Sequence, residues 1–397
     1  MKYWTGYITA AVIGAITWAL MELAKTYSAL VDTVYPYMSR MIMGFLGDWS
    51  AGVSFCLWQM VVILLAVLVI GTIVLMFTLK WNPVRWLGWL AAICSFVYFL
   101  NTVIFGLNYY AGPIADDLRL EVKEYSVSQL ADAAVYYRDK ANELATKVPR
   151  DEKGEVAFDD FETLAVKAAD GFDTLVNEKH HAVFAGSTAP VKELGWSGMY
   201  TSMGITGFTL GITGEAAVNP NIPALCQPFT MCHEMAHRMS IANEGDANFA
   251  AFLACDANSD IQFRYAAYFM AYRYCYNTLV SVGTSESSAA ATEVSAKASP
   301  ELKNDMSSYS AYFSSRRSDK ATKVATTVND TYLKTSGDSA GVASYDEVTD
   351  LLYSWYYQNE ILPTMVEEEK PFDPFDETQV DLSYNSILAE EENQTDD

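Results

Sequence analysis

Apolar and polar residues are unevenly distributed along this chain of 397 residues. The first third is almost continuously apolar, and the rest shows the spacing of amphipathic helices. Three apolar segments, at about residues 7–23, 55–79 and 86–107, approach or exceed the length needed to cross a bilayer. The second contains no charged residue, and Trp and Tyr side chains lie near the segment ends, where amphipathic rings favour the membrane interface. The pattern predicts three membrane-spanning helices within residues 1–111.

The charges beside these segments predict their orientation. The loop between the second and third segments carries Lys80 and Arg85 and no acidic residue, which is typical of a cytoplasmic loop. We therefore expect a cytoplasmic N-terminus and an extracytoplasmic position for everything after Tyr110. The first segment lacks a small-residue cleavage site, so an uncleaved anchor is favoured over a secretory signal peptide. Residues 25–50 have helical spacing and are expected to lie on the membrane or to cap the bundle.

The remainder of the chain is mainly helical in its spacing. A capping box formed by Ser126 and Gln129 predicts the start of one helix, and the aromatic-rich segment 261–282 predicts a buried one. Residues 281–300 predict a polar connector, and two further helices are expected at about 300–332 and 345–362. Between about residues 186 and 228, Gly, Pro, Thr and Ser interrupt the pattern. This segment predicts loops with one or two short strands. It is expected either to form the wall of a substrate cleft or to be an ordinary loop packed on the helices.

Charge is segregated in the same way as hydropathy. Of the 26 basic and 49 acidic side chains, residues 1–111 hold only five and three, and the net charge of the chain is −23. Such an acidic surface repels phosphates and disfavours nucleic acid as a partner. The sequence thus predicts a mainly α fold in three parts: a three-helix membrane domain (1–111), a mostly helical domain with a short β segment (112–362), and a disordered acidic tail (363–397).

The clearest chemical signal is His233-Glu234-Met235-Ala236-His237, an H-E-x-x-H pattern. Residues four apart lie on one face of a helix, so both imidazoles can bind one metal ion. Glu234 can reach a water held on that metal and accept its proton, which is the arrangement of zinc-dependent peptidases. A helix that carries these residues is expected to begin near Pro228.

A catalytic zinc takes three protein ligands and leaves a fourth position for water, so a third ligand is expected downstream. The nearest acidic residues after a possible helix break at 240–243 are Glu244 and Asp246, and both are candidates. The two remaining histidines, His180 and His181, are adjacent and therefore diverge. They are expected to be surface or packing residues.

Further residues are candidates for supporting roles. The oxyanion formed in peptide hydrolysis needs a donor besides the metal, and the candidates are Arg264, Tyr265 and Tyr200, each equally compatible with a structural hydrogen bond. Glu215 is expected to line the cleft or to orient a ligand histidine. Four cysteines surround the motif, and they are expected to form disulfides or to remain buried thiols: Cys226, Cys232, Cys255 and Cys275.

The segment Glu244-Gly245-Asp246-Ala247-Asn248 resembles the E-x-x-A-N motif of gluzincins, zinc peptidases in which a glutamate completes the metal site. The resemblance implies Glu244 as the third ligand and Asn248 as a residue that supports it. A soluble parallel is the ImmA/IrrE group, over these two helices alone. Most of the chain resembles a bacterial family of membrane-anchored zinc peptidases catalogued as a domain of unknown function. That likeness is carried by GITGEAAVNPNIP, PFTMCHEMAH, EGDANF, FRYAAYF and SYDEVTDLLYSWYY.

These observations lead to the expectation of a multi-pass cell-membrane protein that acts as a zinc metalloendopeptidase. Its cofactor would be Zn²⁺, its partners a peptide or protein substrate and the lipid bilayer, and its catalytic domain would be extracytoplasmic. The alternative is a non-catalytic, zinc-stabilised scaffold or regulatory protein of the envelope. A transporter is disfavoured because the predicted spans contain no intramembrane charges. The sequence leaves the substrate and the oligomeric state open.

Overall fold

A computed structural model describes residues 3–337 and 347–364 of the chain. The predicted acidic tail lies, from residue 365 onwards, outside the described residues. The predicted mainly helical fold is confirmed, with a single small sheet in the described part of the chain. The first four helices are α1 (Thr5–Thr26), α2 (Ser28–Ser50), α3 (Leu57–Thr78) and α4 (Pro83–Ile104).

Three of these helices, α1, α3 and α4, are long and apolar enough to cross a membrane. Each has 22 residues and is therefore about 33 Å long, against about 30 Å for the hydrocarbon core of a bilayer. Helices α1 and α4 pack closely, with Gly6 against the backbone of Gly88. Helix α3 exposes nearly all of its apolar side chains beyond its first turn, as a helix surrounded by lipid does.

The segment expected to lie on the membrane or to cap the bundle is α2, and its second half packs against residues that follow the third candidate span. Ser39, Met43 and Gly47 are buried there. The Arg40 guanidinium donates hydrogen bonds to the backbone oxygens of Met239 (3.1 Å) and Ala182 (2.9 Å). Helix α2 therefore connects the candidate membrane-spanning helices to the H-E-x-x-H region.

The sheet has three short strands, in the order β1-β3-β2. They are β1 (Lys192–Glu193), β2 (Gly207–Leu210) and β3 (Glu215–Val218). Strand β3 is buried at the centre, parallel to β1 and antiparallel to β2, and β2 has one free edge. These strands fall within the segment that the sequence predicts as loops with short strands.

The remaining helices surround α9, α10 and α11, which pack against one another and against α6 and α7. A Cβ on Gly171 of α7 would overlap the backbone of Ala254 on α10, so glycine is required for this close approach. The aromatic side chains of α11 form much of the core. The helices are α5 (Ile114–Asp117), α6 (Val127–Ala145), α7 (Phe161–Asn177), α8 (Ser197–Met203), α9 (Gln227–Arg238), α10 (Glu244–Ala257), α11 (Ile261–Val282), α12 (Ser285–Ala296), α13 (Pro300–Arg316), α14 (Asp319–Ser336) and α15 (Val348–Tyr356).

The residues up to Tyr353 form one compact unit, and a second unit begins at Ser354. Within the second unit, the described chain completes α15 and continues as a π-helical turn over Tyr357–Ile361. The domain boundary near residue 111 stays a prediction.

Candidate metal centre

The H-E-x-x-H residues lie on α9, and the chain reverses immediately after this helix. Ser240 adopts a φ of 73°, which ends the helix, and α10 starts after a short turn. Asn243 caps α10 by accepting a hydrogen bond from the Asp246 amide at 3.0 Å. The turn therefore brings the first residue of α10, Glu244, back towards the histidines of α9.

Three ligand atoms converge at this place. His233 Nε2 lies 3.1 Å from His237 Nε2 and 3.2 Å from Glu244 Oε2, and the His237 Nε2–Glu244 Oε2 distance is 3.5 Å. Nitrogen and oxygen ligands at about 2.0–2.1 Å from a tetrahedral zinc are separated by roughly 3.3–3.4 Å. The three atoms thus have the spacing of one face of a zinc coordination tetrahedron.

The hydrogen bonds around the group orient its lone pairs inwards. His237 Nδ1 lies 2.8 Å from the backbone oxygen of Ile241. A carbonyl oxygen can only accept, so Nδ1 carries hydrogen. In the neutral form of the ring, which is the form that can bind a metal, the Nε2 lone pair points at the other two candidate ligand atoms. The ring of Phe105 packs edge-on against His237, with centroids 6.3 Å apart.

The group contains buried polar atoms that no hydrogen bond satisfies. Among the described residues, Glu244 Oε2 and His233 Nδ1 are buried without a hydrogen-bond partner, although Glu244 Oε2 lies within 3.5 Å of Nε2 of each histidine. A buried unsatisfied carboxylate oxygen is unfavourable, and a cation bound between the three atoms removes that cost. Two imidazoles and one carboxylate are a donor set that suits zinc. The residues therefore fit a zinc ion.

The ligands polarise one another strongly. Burial lowers the pKa of His237, but the Glu244 carboxylate outweighs burial and raises that pKa to about 9. Burial also opposes ionisation of Glu244, yet the two histidines hold its pKa well below the usual range. The group is thus built to hold positive charge against a buried carboxylate.

Glu234 is buried beside the ligands and contacts β2. Its Oε2 accepts a hydrogen bond from the Thr209 hydroxyl at 2.7 Å. A Cβ at Gly207 would lie 2.3 Å from Glu234 Oε1, so only glycine leaves room for this carboxylate. Burial raises the pKa of Glu234 above its ordinary value, and the neighbouring histidines and Thr209 partly oppose that effect.

Within the described ranges, β2 pairs only with β3, so its other edge carries unpaired backbone groups next to Glu234. The Asn219 amide donates a hydrogen bond to the backbone oxygen of Thr206 at 2.8 Å. With this register, the backbone N–H and C=O groups of Phe208 and Leu210 face β3. In an antiparallel ladder the alternate residues face away, so the N–H and C=O groups of Gly207 and Thr209 point to the free edge. Neither Gly207 nor Thr209 carries a sequence signal that would have identified it.

Asn248 follows Glu244 by one helical turn and is buried, and its amide nitrogen has no hydrogen-bond partner in the part of the chain that the structure describes. Asp246, the other candidate for the third ligand, is not part of the group. Its carboxylate accepts a hydrogen bond from the Ile114 amide at 3.1 Å, and burial raises its pKa to about 7. Of the two candidates, the structure brings Glu244 to the histidines.

The oxyanion candidates lie in other surroundings. The Tyr265 hydroxyl donates to Asp305, which also forms a two-pronged ion pair with Arg150. Arg264 is exposed on α11. Tyr200 is half-buried on α8 and packs on a cluster that includes Trp58. Tyr265 is therefore committed to a structural network, and no contact joins Arg264 or Tyr200 to the ligands among the described residues.

Glu215 has a different role from the one expected. Its carboxylate accepts hydrogen bonds from the backbone amides of Leu57 (2.7 Å) and Trp58 (2.9 Å) and pairs with the Lys192 ammonium at 2.7 Å. It thus caps the first turn of α3 instead of orienting a ligand histidine.

The remaining histidines and the cysteines lie apart from the three ligands. His181 packs edge-on against Phe184, and His180 is exposed at the surface. All six cysteines are free thiols, and the four around the motif are buried. Burial raises the pKa of Cys226 to about 12.

Comparison with known proteins gives a family. The family model described as "Protein of unknown function (DUF3810)" matches residues 31–353. No curated protein and no solved structure matches the chain. Because the match covers most of the chain, including α9 and α10, the protein belongs to the DUF3810 family of proteins of unknown function.

Proposed function

We propose that this protein is a membrane-anchored zinc metallopeptidase that hydrolyses peptide bonds in a peptide or protein substrate. The observation that carries the proposal is the convergence of His233, His237 and Glu244 within 3.5 Å, with the buried Glu234 carboxylate on the same helix. A site with three protein ligands keeps one position for water, whereas structural zinc sites close with a fourth Cys or His.

When bound, zinc supplies Lewis acidity, which polarises a carbonyl and lowers the pKa of water to about 7. Glu234 is the general base in this proposal: it removes a proton from the attacking water and returns it to the leaving amine. Burial raises the pKa of Glu234, and a raised pKa suits a carboxylate that must take up a proton and release it again. The Thr209 hydroxyl holds one carboxylate oxygen in place.

The free edge of β2 supports the binding of an extended substrate. A peptide that pairs with the backbone groups of Gly207 and Thr209 would add a strand to the sheet directly beside Glu234. Main-chain pairing of this kind aligns a backbone carbonyl with the base and depends little on side-chain identity.

The topology is part of the proposal. Lys80 follows the end of α3 and Arg85 lies in the first turn of α4. Both are at the helix ends opposite to the metal-binding group (His233, His237 and Glu244), and basic residues at such ends favour the cytoplasm. The N-terminus is then cytoplasmic, and the zinc site faces the extracytoplasmic side.

The test compares the full-length wild type with Glu234→Gln in detergent, with zinc content measured on the same samples. Wild type should hydrolyse members of a diverse peptide mixture. The variant should keep its zinc and lose activity by about 10²–10⁴-fold, because the base is gone while the ligands remain. Glu193→Gln, at an exposed position on β1, is the matched control and should behave as wild type.

Two outcomes would contradict the proposal. Zinc retained in both proteins with no Glu234-dependent hydrolysis would indicate the zinc-stabilised scaffold instead. Equal hydrolysis by wild type and Glu234→Gln would show that another group is the base.

A further inference from the structure

The metal-binding group lies at the end of a candidate membrane-spanning helix. Phe105 directly follows α4, is buried, and places its ring 6.3 Å from the ring of His237. Met43 and Ala242 complete this small cluster. Because α4 is about as long as the hydrocarbon core is thick, its end marks the membrane surface. His237 is thus one aromatic ring away from the level at which α4 leaves the core.

The strand beside Glu234 is fixed at the same level by α3. The first turn of α3 is capped by Glu215 of β3. Gln59, which follows the two capped residues of α3, exchanges two hydrogen bonds with the backbone of Gly195, at 2.9 and 3.1 Å. The sheet therefore rests on the beginning of α3, as the metal-binding group rests on the end of α4.

Large apolar side chains are exposed around this junction. We define the outer apolar patch as Phe55 (51 % exposed), Trp196 (47 %), Met199 (46 %) and Phe208 (43 %). The ring of Phe208 contacts Trp58 in the first turn of α3, with centroids 5.4 Å apart, and Trp196 follows the Gly195 that is bonded to Gln59.

Exposed apolar side chains in such a cluster usually mark an interaction site. Phe55 lies two residues before α3, Phe208 contacts its first turn, and α3 itself exposes apolar side chains from Met60 and Val61 onwards. A bilayer that surrounds α3 would therefore also contact the patch, and Trp is favoured at that depth.

We infer that the outer apolar patch sits in the membrane interface and that the substrate is a polypeptide anchored in the same membrane, cut close to the bilayer surface. This inference rests on the proposed function. The polar headgroup layer is roughly 5–8 Å deep on each side, and an extended chain spans about 3.3 Å per residue. A membrane-anchored chain would thus reach the Gly207–Thr209 edge within about five residues of its anchor.

The first experiment tests the membrane contact without using activity. The photo-crosslinker benzoylphenylalanine replaces Trp196 or Phe208 in the full chain, reconstituted in phospholipid vesicles, with Val280 of α11 as the matched exposed control. Lipid adducts are expected at positions 196 and 208 and at most a few per cent of that yield at 280. Equal yields at the three positions, or none at 196 and 208, would overturn the inference whether or not the protein is a peptidase.

The second experiment tests the substrate class with the zinc-loaded full chain in the same vesicles. A degenerate peptide segment is presented directly after a single-span helix, after a flexible spacer of about 30 residues, or without an anchor. Cleavage should fall within about five residues of the helix end and be at least about ten-fold faster than for the other two probes, because tethering raises the effective concentration at the site.

The outcomes separate the two proposals. Glu234-dependent cleavage at equal rates in all three probes would overturn the membrane-anchored substrate and leave the peptidase standing. Absence of Glu234-dependent cleavage in every probe, with lipid adducts formed as expected, would count against the peptidase itself.

Discussion

At the scale of single residues, Gly207 determines where the Glu234 carboxylate can lie. Its φ is not positive, so alanine there causes no backbone strain, but the added Cβ would overlap Glu234 Oε1. We expect Gly207→Ala to displace the carboxylate and lower kcat/KM by about 10²-fold, the typical worth of a positioned base, with zinc content unchanged.

Gly198→Ala is the matched control for Gly207→Ala, because a Cβ at Gly198 meets no atom within 4 Å. It should leave both activity and zinc as in wild type. Wild-type kcat/KM in Gly207→Ala would show that the Glu234 carboxylate does not need the position seen here.

Thr209 acts on the same carboxylate through its hydroxyl. The hydrogen bond stabilises ionised Glu234, so Thr209→Val should raise the Glu234 pKa further. Glu234 must be deprotonated to act as a base, and the acid limb of the pH profile of kcat/KM should therefore move to higher pH. A uniform loss of activity at every pH would indicate a merely structural role, and Thr209→Ser should restore the wild-type profile.

Sequence and structure differ at the residue scale in an instructive way. The spacing of His233, Glu234 and His237 is local, so a helix alone brings these residues together. The third candidate ligand is less local: choosing Glu244 over Asp246 depended on the resemblance to a motif, and the chain reversal at Ser240 then brings Glu244 to the histidines. Gly207 and Thr209 meet Glu234 only through tertiary packing, and Glu215 caps a helix more than 150 residues earlier in the chain. Such contacts leave no periodic signal.

At the scale of elements, the buried Lys192–Glu215 pair joins the sheet to the first turn of α3. Glu215→Gln would leave the Lys192 ammonium buried without its counter-charge. Breaking a buried pair in this way costs about 3–5 kcal/mol, so a clear drop in the thermal midpoint in detergent is expected.

Two further variants check the Glu215 interpretation. Adding Lys192→Met to Glu215→Gln removes the stranded charge and should recover much of the midpoint. Glu143→Gln, which removes an exposed ion pair with Lys147, should leave the thermal midpoint unchanged. An unchanged midpoint in Glu215→Gln would contradict the interpretation.

The helices were predicted best where their signals were local. The capping box of Ser126 and Gln129 does begin α6. The segment after α11, which reads as a polar connector, is the helix α12, because Thr284 caps it and Ala291 and Val294 are buried. The long helix expected from residue 300 to 332 is divided into α13 and α14, because the backbone of Arg317 is extended.

At the scale of the whole molecule, α2 links the helices after residue 112 to the three candidate membrane-spanning helices. Its Arg40 and Ser39 contact the turn between α9 and α10, and the buried Arg238 side chain packs against Gly47. A chain that starts at Gly112 loses these contacts. We expect the truncated chain to lack a cooperative thermal transition and to bind zinc poorly. The full chain in detergent should unfold cooperatively and bind zinc.

A truncated chain with the full zinc content and a wild-type midpoint would contradict this dependence. The apolar segments alone sufficed to predict the three helices that are long and apolar enough to cross a membrane. The packing of α2 on α9 was not foreseen, because its apolar spacing is equally suited to lipid or to protein.

Zinc stoichiometry tests the central claim most directly. Metal content would be measured by mass spectrometry on the purified full-length protein and on four variants: His233→Ala, His237→Ala, Glu244→Ala and a His180→Ala/His181→Ala control that removes the two other histidines of the chain. We expect one zinc per chain in wild type and in the control, and a large loss in each of the three ligand variants. A full zinc content in any ligand variant, or folded wild type that binds no zinc, would contradict the assignment of this site.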